Sequence, residues 1–259
     1  MELKYSDRVD QLFYQVGANL IYSKNKVLQT DYTDYPEDYL EIIGQASDVI
    51  YGYVARGLFG KDVDINSPHA FQAFGPYQVG DIAYEDLNED NLIDDLDRKV
   101  LANSFPRAHI GLDINLNYKG FGLYVLGTSQ LGFSNWMNTG YYWNRAEDKY
   151  SAITLDRYHP TNNPNGTYPR LTTTDGANNF RNSTFWIESG DFFRIKNAEL
   201  SYTINNEQTD VVRKVKFFAR GSNLLLLTKN RIFDPEAKNA GLTNYPILMN
   251  ITGGVSLSF

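Results

Sequence analysis

Ala108-His109-Ile110-Gly111-Leu112-Asp113-Ile114-Asn115-Leu116-Asn117-Tyr118 alternates without exception from Ile110 to its end. Ile110, Leu112, Ile114, Leu116 and Tyr118 fall on one face and Gly111, Asp113, Asn115 and Asn117 on the other, the period of two that a β-strand imposes. A face carrying an aspartate and two asparagines suits water and not a dry core. Lys119-Gly120 follows as a turn, and Phe121 to Leu131 opens a second run with Phe121, Leu123 and Val125 on one face. Both runs match the roughly 9 to 11 residues of a tilted membrane-spanning strand, so an antiparallel hairpin of that length is expected.

Four further stretches read the same way. Leu12 to Tyr22 has Leu12, Tyr14, Val16, Ala18, Leu20 and Tyr22 in phase. In Phe192 to Ile204 the apolar phase changes between Ile195 and Ala198, which predicts a β-bulge near Asn197. Val215 to Leu225 is the fifth run. Leu248 to Phe259 is the sixth, with Met249, Ile251, Gly253, Val255, Leu257 and Phe259 on one face; many outer-membrane barrels end in such an aromatic residue, which marks Phe259 for barrel assembly. Less regular segments, Val49 to Phe59 and Asn182 to Glu188, lie inside long connections.

The connections alternate in length. Lys119-Gly120 and Asn205 to Lys214 are short, whereas Ser23 to Arg107, Gly132 to Asp191 and Leu226 to Ile247 are long. Outer-membrane barrels pair short periplasmic turns with longer extracellular loops. On that parity the C-terminus is periplasmic and the long loops extracellular, with Tyr118, Phe121, Tyr202, Phe217 and Phe259 forming a periplasmic aromatic girdle. The expected fold is all-β: residues 1–259 as the C-terminal antiparallel strands of a large transmembrane barrel. Six strands fall short of the roughly 8 of the smallest single-chain barrels, so further strands are expected outside this segment.

Composition agrees. The chain has 42% hydrophobic and 21% charged residues, which excludes wholesale disorder, and its 19 Tyr and 15 Phe suit strands and interfacial belts. A formal charge of -7 with no Lys/Arg cluster argues against nucleic-acid binding. No Cys is present, and no apolar run approaches the roughly 18 residues of a membrane helix. Mean hydropathy of -0.43 does not exclude a barrel, because lipid-facing residues occupy only alternate positions.

One segment carries metal chemistry. Asp86-Leu87-Asn88-Glu89-Asp90-Asn91-Leu92-Ile93-Asp94-Asp95-Leu96-Asp97 places oxygens at positions 1, 3, 5, 7, 9 and 12 of an EF-hand-type loop: Asp86, Asn88, Asp90, the Leu92 carbonyl, Asp94 and Asp97. Such a set of hard donors is expected to bind structural Ca²⁺. Asn91 stands where the sharp turn favours glycine, and Asp97 replaces the usual closing Glu, as in the dockerin variant. A solvated acidic turn is the alternative reading.

The loop from Gly132 to Asp191 is rich in aromatics, among them Trp136, Tyr141, Tyr142 and Trp143, interleaved with Asn, Thr and Arg. Rings stack on sugar faces or apolar side chains while amides bond polar edges, so these four are candidate contacts for a glycan or peptide; packing of the loop on itself is equally compatible. No nucleophile elbow, P-loop, dinucleotide fingerprint or H-E-x-x-H helix occurs, and the three histidines lack partners, so no enzyme activity is expected.

The order of several motifs resembles the C-terminal portion of SusC/RagA-like TonB-dependent transporters. They are Tyr22-Ser23-Lys24-Asn25-Lys26-Val27-Leu28, Tyr51-Gly52-Tyr53-Val54-Ala55-Arg56-Gly57-Leu58-Phe59, Gly80-Asp81-Ile82 leading into the acidic loop, and Asn182-Ser183-Thr184-Phe185-Trp186. Phe193-Arg194-Ile195-Lys196-Asn197, Leu200-Ser201-Tyr202, Gly221-Ser222-Asn223-Leu224-Leu225 and Phe233-Asp234-Pro235-Glu236 complete the set. Glu89 and Asn91 depart from it where the family commonly carries glycine. The resemblance implies a place in the cell outer membrane among its lipids, import of a glycan fragment or oligopeptide, a SusD-like lipoprotein partner, and energy from TonB acting on a plug. The competing reading is a calcium-stabilised cell-surface β-domain that binds glycans without transport.

Overall fold

The computed structural model describes residues 1–31, 35–146, 148–173, 176–205, 213–230, 232–237, 245 and 247–259 of the chain. Its frame is a seven-stranded antiparallel sheet in which each strand pairs with the next along the chain. We label these strands β1 (Glu2–Val9), β2 (Leu12–Tyr22), β3 (Ala108–Tyr118), β4 (Phe121–Leu131), β5 (Phe192–Asn205), β6 (Lys214–Thr228) and β7 (Asn250–Ser258). The hairpin expected at Ala108 to Leu131 forms in the register that a two-residue turn dictates, with Tyr118 opposite Phe121 and Leu116 opposite Leu123. Lys119 and Gly120 both take positive φ there, 47° and 87°.

All six expected strands are present, and β1 is an addition. Leu3, Tyr5 and Val9 alternate with Lys4, Ser6 and Arg8, but Asp7 interrupts the apolar phase in so short a run, and period alone does not reveal the strand. Asp10-Gln11 turns it into β2, with Asp10 at φ 54°. The expected bulge is real: the β5–β6 register shifts between Ile195 and Asn197, and the facing β4–β5 ladder shifts between Leu126 and Gly127.

Register carries the alternation across the sheet in rows. One row reads Leu12, Tyr118, Phe121, Tyr202, Phe217, Val255; the next in phase reads Tyr14, Leu116, Leu123, Leu200, Ala219, Gly253. Both lie on a face whose large apolar side chains stay exposed, Leu200 at 58% and Ile251 at 73%. Next to the second row, on the opposite face, runs the polar row Gln15, Asn115, Tyr124, Glu199, Arg220, Thr252. On that face Glu199 bonds Lys216 at 2.6 Å and Arg220 at 2.5 Å. The turns at 10–11 and 119–120 share one end of the sheet with the β5–β6 connection, and the three long connections share the other. Residues 206–212, in the short connection, and 231, 238–244 and 246, in the third long one, lie outside the described residues. No helix among the described residues is long and apolar enough to cross a membrane.

The long connections do not hang free. They fold onto one another as a cap with its own core, including Tyr53, Leu58, Phe74, Ile82, Tyr84, Ile93, Tyr142, Tyr158, Tyr168, Phe180 and Trp186. Short ribbons frame this core: Val49–Gly52 pairs with Lys99–Asn103, Ala55–Leu58 with Ile82–Tyr84, and Ser134–Trp136 with Ile187–Ser189. Polar side chains stitch the first connection to the second where strands do not. Buried Gln72 donates to Ile82 O and Asn178 Oδ1 and accepts from Tyr84 N, while Asn179 accepts from Ile82 N and donates to Asp81. Each donor removed from water here finds an acceptor, which is the condition for burying amides at no net cost.

Gly52 marks the tightest of these crossings. Tyr53 N donates to Asn182 O at 2.8 Å, and a Cβ on Gly52 would stand 2.2 Å from that same carbonyl oxygen. Backbone cannot yield as a side chain does. Gly52→Ala is therefore expected to destabilise the cap by about 1 to 3 kcal/mol, read as a lower denaturation midpoint; an unchanged midpoint would contradict this packing.

Candidate functional site

The acidic segment is a compact turn built from side-chain to backbone hydrogen bonds. Asp86 accepts from Glu89 N and Asn91 N, Asn88 Oδ1 from Asp90 N, and Asp90 Oδ1 from Leu92 N. Asn91 takes the left-handed conformation at φ 69°, as its place at position 6 of the loop predicts, and Glu89 does so at 62°. Asp94 caps the single 3-10 turn Asp95–Asp97 through Leu96 N, and Asp97 returns the bond to Asp94 N. The apolar Ile93 is buried, and Leu92–Ile93 pairs in parallel with Phe71–Gln72, which pins the loop to the cap.

Asp97 is the buried member of the set, and its two oxygens accept from Leu87 N and Asp94 N. Burial pushes its pKa up and the neighbouring Asp86 adds to that, while the backbone N–H groups oppose it. Among the described residues no three His, Cys, Asp or Glu side chains gather closely enough to form a metal cage. The donors still fit a hard cation in kind, since each carboxylate oxygen that accepts one N–H retains a lone pair.

Trp136, Tyr141, Tyr142 and Trp143 are brought together, but as packing. Tyr142 is 2% exposed, and the other three lie partly buried against the same core. Tyr141 and Tyr142 meet Phe233 edge-on at 5.4 and 5.6 Å, and Trp143 packs on Phe180 and Trp186. The rings of Tyr141, Tyr142 and Trp143 meet other rings of the cap, whereas Trp136 borders a cavity. The reason is local composition: so many rings within one connection bury more area by meeting each other than by waiting for a ligand.

Several charged residues, some of them within the quoted motifs, hold the connections to one another and to the wall. Arg194 of β5, nearly fully buried, binds Asp234 at 2.5 Å and Glu236 at 3.0 Å, and Lys196 reaches Glu236 at 3.1 Å. Arg170 binds Asp81 at 2.8 Å. Asp48 takes Arg107 at 2.8 Å and accepts from Phe105 N. Burial would raise the Asp48 pKa, yet Arg107 and the Phe105 N–H outweigh it and hold the carboxyl below its usual range. Phe259 stands at the short-turn end of the sheet, just past the Lys214–Ser258 pair, and is 77% exposed.

An all-β sheet with one exposed apolar face, a largely polar opposite face and a folded cap over one end has the architecture of the wall of a transmembrane β-barrel. Comparison with known proteins agrees. The chain is 28% identical over 278 residues to TonB-dependent receptor P26 of Formosa agariphila, covering 97% of this chain and 28% of that protein. It is 25% identical over 304 residues to TonB-dependent receptor P39 of the same organism, covering 97% and 29%. In fold it matches the RagAB peptide transporter with a TM-score of 0.74 at 18% identity, over 100% of this chain and 28% of that one. The RagAB peptide importer in its closed-closed state gives 0.73 at 19% identity, over 100% and 29%. No protein-family model matches the chain. The chain is thus homologous to TonB-dependent receptors along nearly its whole length, bearing out the SusC/RagA-like resemblance, and it spans about 28% of the length of these relatives.

Glu188, on the Ile187–Ser189 strand, is a carboxylate whose pKa burial pushes up. A raised folded pKa means that the folded cap holds this proton more tightly than the unfolded chain does. Its contribution to stability therefore falls as pH climbs from the ordinary glutamate value of about 4.3 to the raised one, and stays low above it. Glu188→Gln should remove that part of the pH dependence and raise the melting temperature at neutral pH; parallel wild-type and variant profiles would rule this out.

Proposed function

We propose that this chain forms the C-terminal wall and external cap of a TonB-dependent importer in the outer membrane. Its cargo is a glycan fragment or oligopeptide, its apolar face meets lipid, its cap faces outward and its short turns and Phe259 lie at the periplasmic side. A SusD-like lipoprotein partners the cap, and TonB acts through a plug on the whole protein. The observation that carries this is the set of exposed apolar rows that runs from β2 to β7 on one face of the sheet, opposed by largely polar rows on the other. Homology to TonB-dependent receptors and the fold of a peptide importer support it. The residues of the cap and wall serve binding and conduction, with no part in bond-making chemistry.

A self-contained soluble glycan-binding domain is disfavoured by the same rows, because Leu112, Leu200 and Ile251 lie uncovered together with their neighbours. Lys at Leu200 or Leu112 should cost about 2 to 4 kcal/mol in the membrane-inserted protein and much less at the interfacial Phe217. Equal tolerance at all three positions in a folding assay in lipid vesicles would sink the membrane reading.

We further propose that Asp86, Asn88, Asp90, the Leu92 carbonyl, Asp94 and Asp97 hold a structural Ca²⁺ within an extracellular loop. The oxygen spacing and the left-handed Asn91 support it. Calcium at about 100 times its dissociation constant should stabilise the cap by about 2.7 kcal/mol, and Asp86→Ala should abolish that gain. Melting curves identical in calcium and in chelator would refute it.

A further inference from the structure

A cavity of about 260 Å³ opens between two ribbons of the cap, with Val49 and Ile50 on one wall and Ser134, Asn135 and Trp136 on the other. Ser104 and Phe105 complete it, and the Phe105 ring is 59% exposed. We propose that this cavity is a subsite for one apolar, preferably aromatic, side chain of a peptide; naming that peptide as cargo rests on the importer reading, whereas its binding does not.

Three observations carry the assignment. The walls are fixed in advance. Ser104 donates from both N and Oγ to Asp48 O, and Phe105 N donates to the Asp48 carboxylate that Arg107 clamps, so this wall is held by a part-buried ion pair. The facing wall is held by the pairing of Ser134, Asn135 and Trp136 with Ser189, Glu188 and Ile187, and by Gly190 N donating to Phe133 O. Prearranged walls lower the ordering cost of binding.

Size and chemistry then select the ligand. Pockets that enclose a whole drug-sized ligand run to about 300–1,000 Å³, so this one suits a single side chain. No charged residue lines it, which excludes an acidic or basic side chain left unpaired. A sugar ring carries hydroxyls around its whole rim, and the lining offers only Ser104, Ser134 and Asn135 to meet them, with the Ser104 hydroxyl already bonded to Asp48. Val49, Ile50, Phe105 and the Trp136 ring suit an apolar group instead, and Ser134 and Asn135 are placed for the amide beside it.

The test uses the membrane-purified protein in detergent and the probe N-acetyl-phenylalaninamide, titrated calorimetrically to about 10 mM, with methyl β-glucopyranoside as the comparison. Saturable binding of the phenylalanine amide alone is expected. Ser134→Phe, which fills the cavity, and Phe105→Ala, which removes an exposed wall without touching the core, should each weaken it by about tenfold, while Ser134→Ala should change it by less than about threefold. If Ser134→Phe lowers the melting temperature, Phe105→Ala decides alone. Absence of saturable binding, equal binding by Phe105→Ala, or preference for the glucoside would each overturn the assignment. Absence of peptide uptake by cells making the unaltered full protein, with probe binding intact, would count against the importer reading only.

Discussion

The ladder that joins β3 to β2 and β4 is the constraint on which the molecule depends. Each backbone N–H and C=O in the middle of the sheet is paired with a neighbour in an eleven-residue register on both sides. Because the backbone polar groups of β3 are satisfied within the sheet, side chains alone decide what each of its faces meets. Isoleucine and leucine on one side of β3 and aspartate and asparagine on the other settle that choice for the whole wall, since register copies the phase of β3 into its neighbours. A slip of one residue would reverse every side chain and set Asp113 among the apolar rows, which is why the register is strongly determined. The bulge at Asn197 serves the same end. Apolar phase changes along β5, and one extra residue restores Ala198, Leu200 and Tyr202 to the face shared with Val125, Leu123 and Phe121.

The cap obeys a different rule. Its connections have few residues in regular strands, so their backbone groups must be met by side chains, and the buried amides of Gln72, Asn178 and Asn179 do this. Aromatic rings fill the space between. That division explains the composition: Asn and Tyr recur in the long connections because one supplies backbone-like hydrogen bonds and the other area with a polar tip.

How much of this the sequence discloses follows from which physics is local. Strands with strict alternation were legible to within a few residues, and the Ala108 to Leu131 hairpin to the residue, because period and turn are properties of adjacent positions. The bulge was legible as a phase change. β1 was not, because Asp7 interrupts its short apolar phase and only pairing with β2 makes it a strand. In the acidic loop the turn geometry was readable from Asp, Asn and their spacing, since these side chains bond backbone two to five residues away. The aromatic cluster illustrates the limit. Nothing local distinguishes a ring that waits for a ligand from one that meets Phe233 or Trp186 across the chain, and for Tyr142 the partner lies far along it.

The long-range contacts also explain why separate motifs travel together. Phe193-Arg194-Ile195-Lys196 and Phe233-Asp234-Pro235-Glu236 are forty residues apart, yet Arg194 and Lys196 bind Asp234 and Glu236. Likewise Tyr53 both donates to Asn182 O and accepts from Thr184 N, tying the segment around Tyr53 to the one around Trp186. Buried ion pairs are not strong net stabilisers, because desolvation offsets their attraction. Their effect lies in what they forbid. An arginine that is 2% exposed has no acceptable position other than beside its two carboxylates, so the third connection is fixed against β5 at one place on the rim. A wall whose register admits no slip, and ion pairs that set Asp234 and Glu236 beside Arg194 and Lys196, together fix where the cap meets the rim.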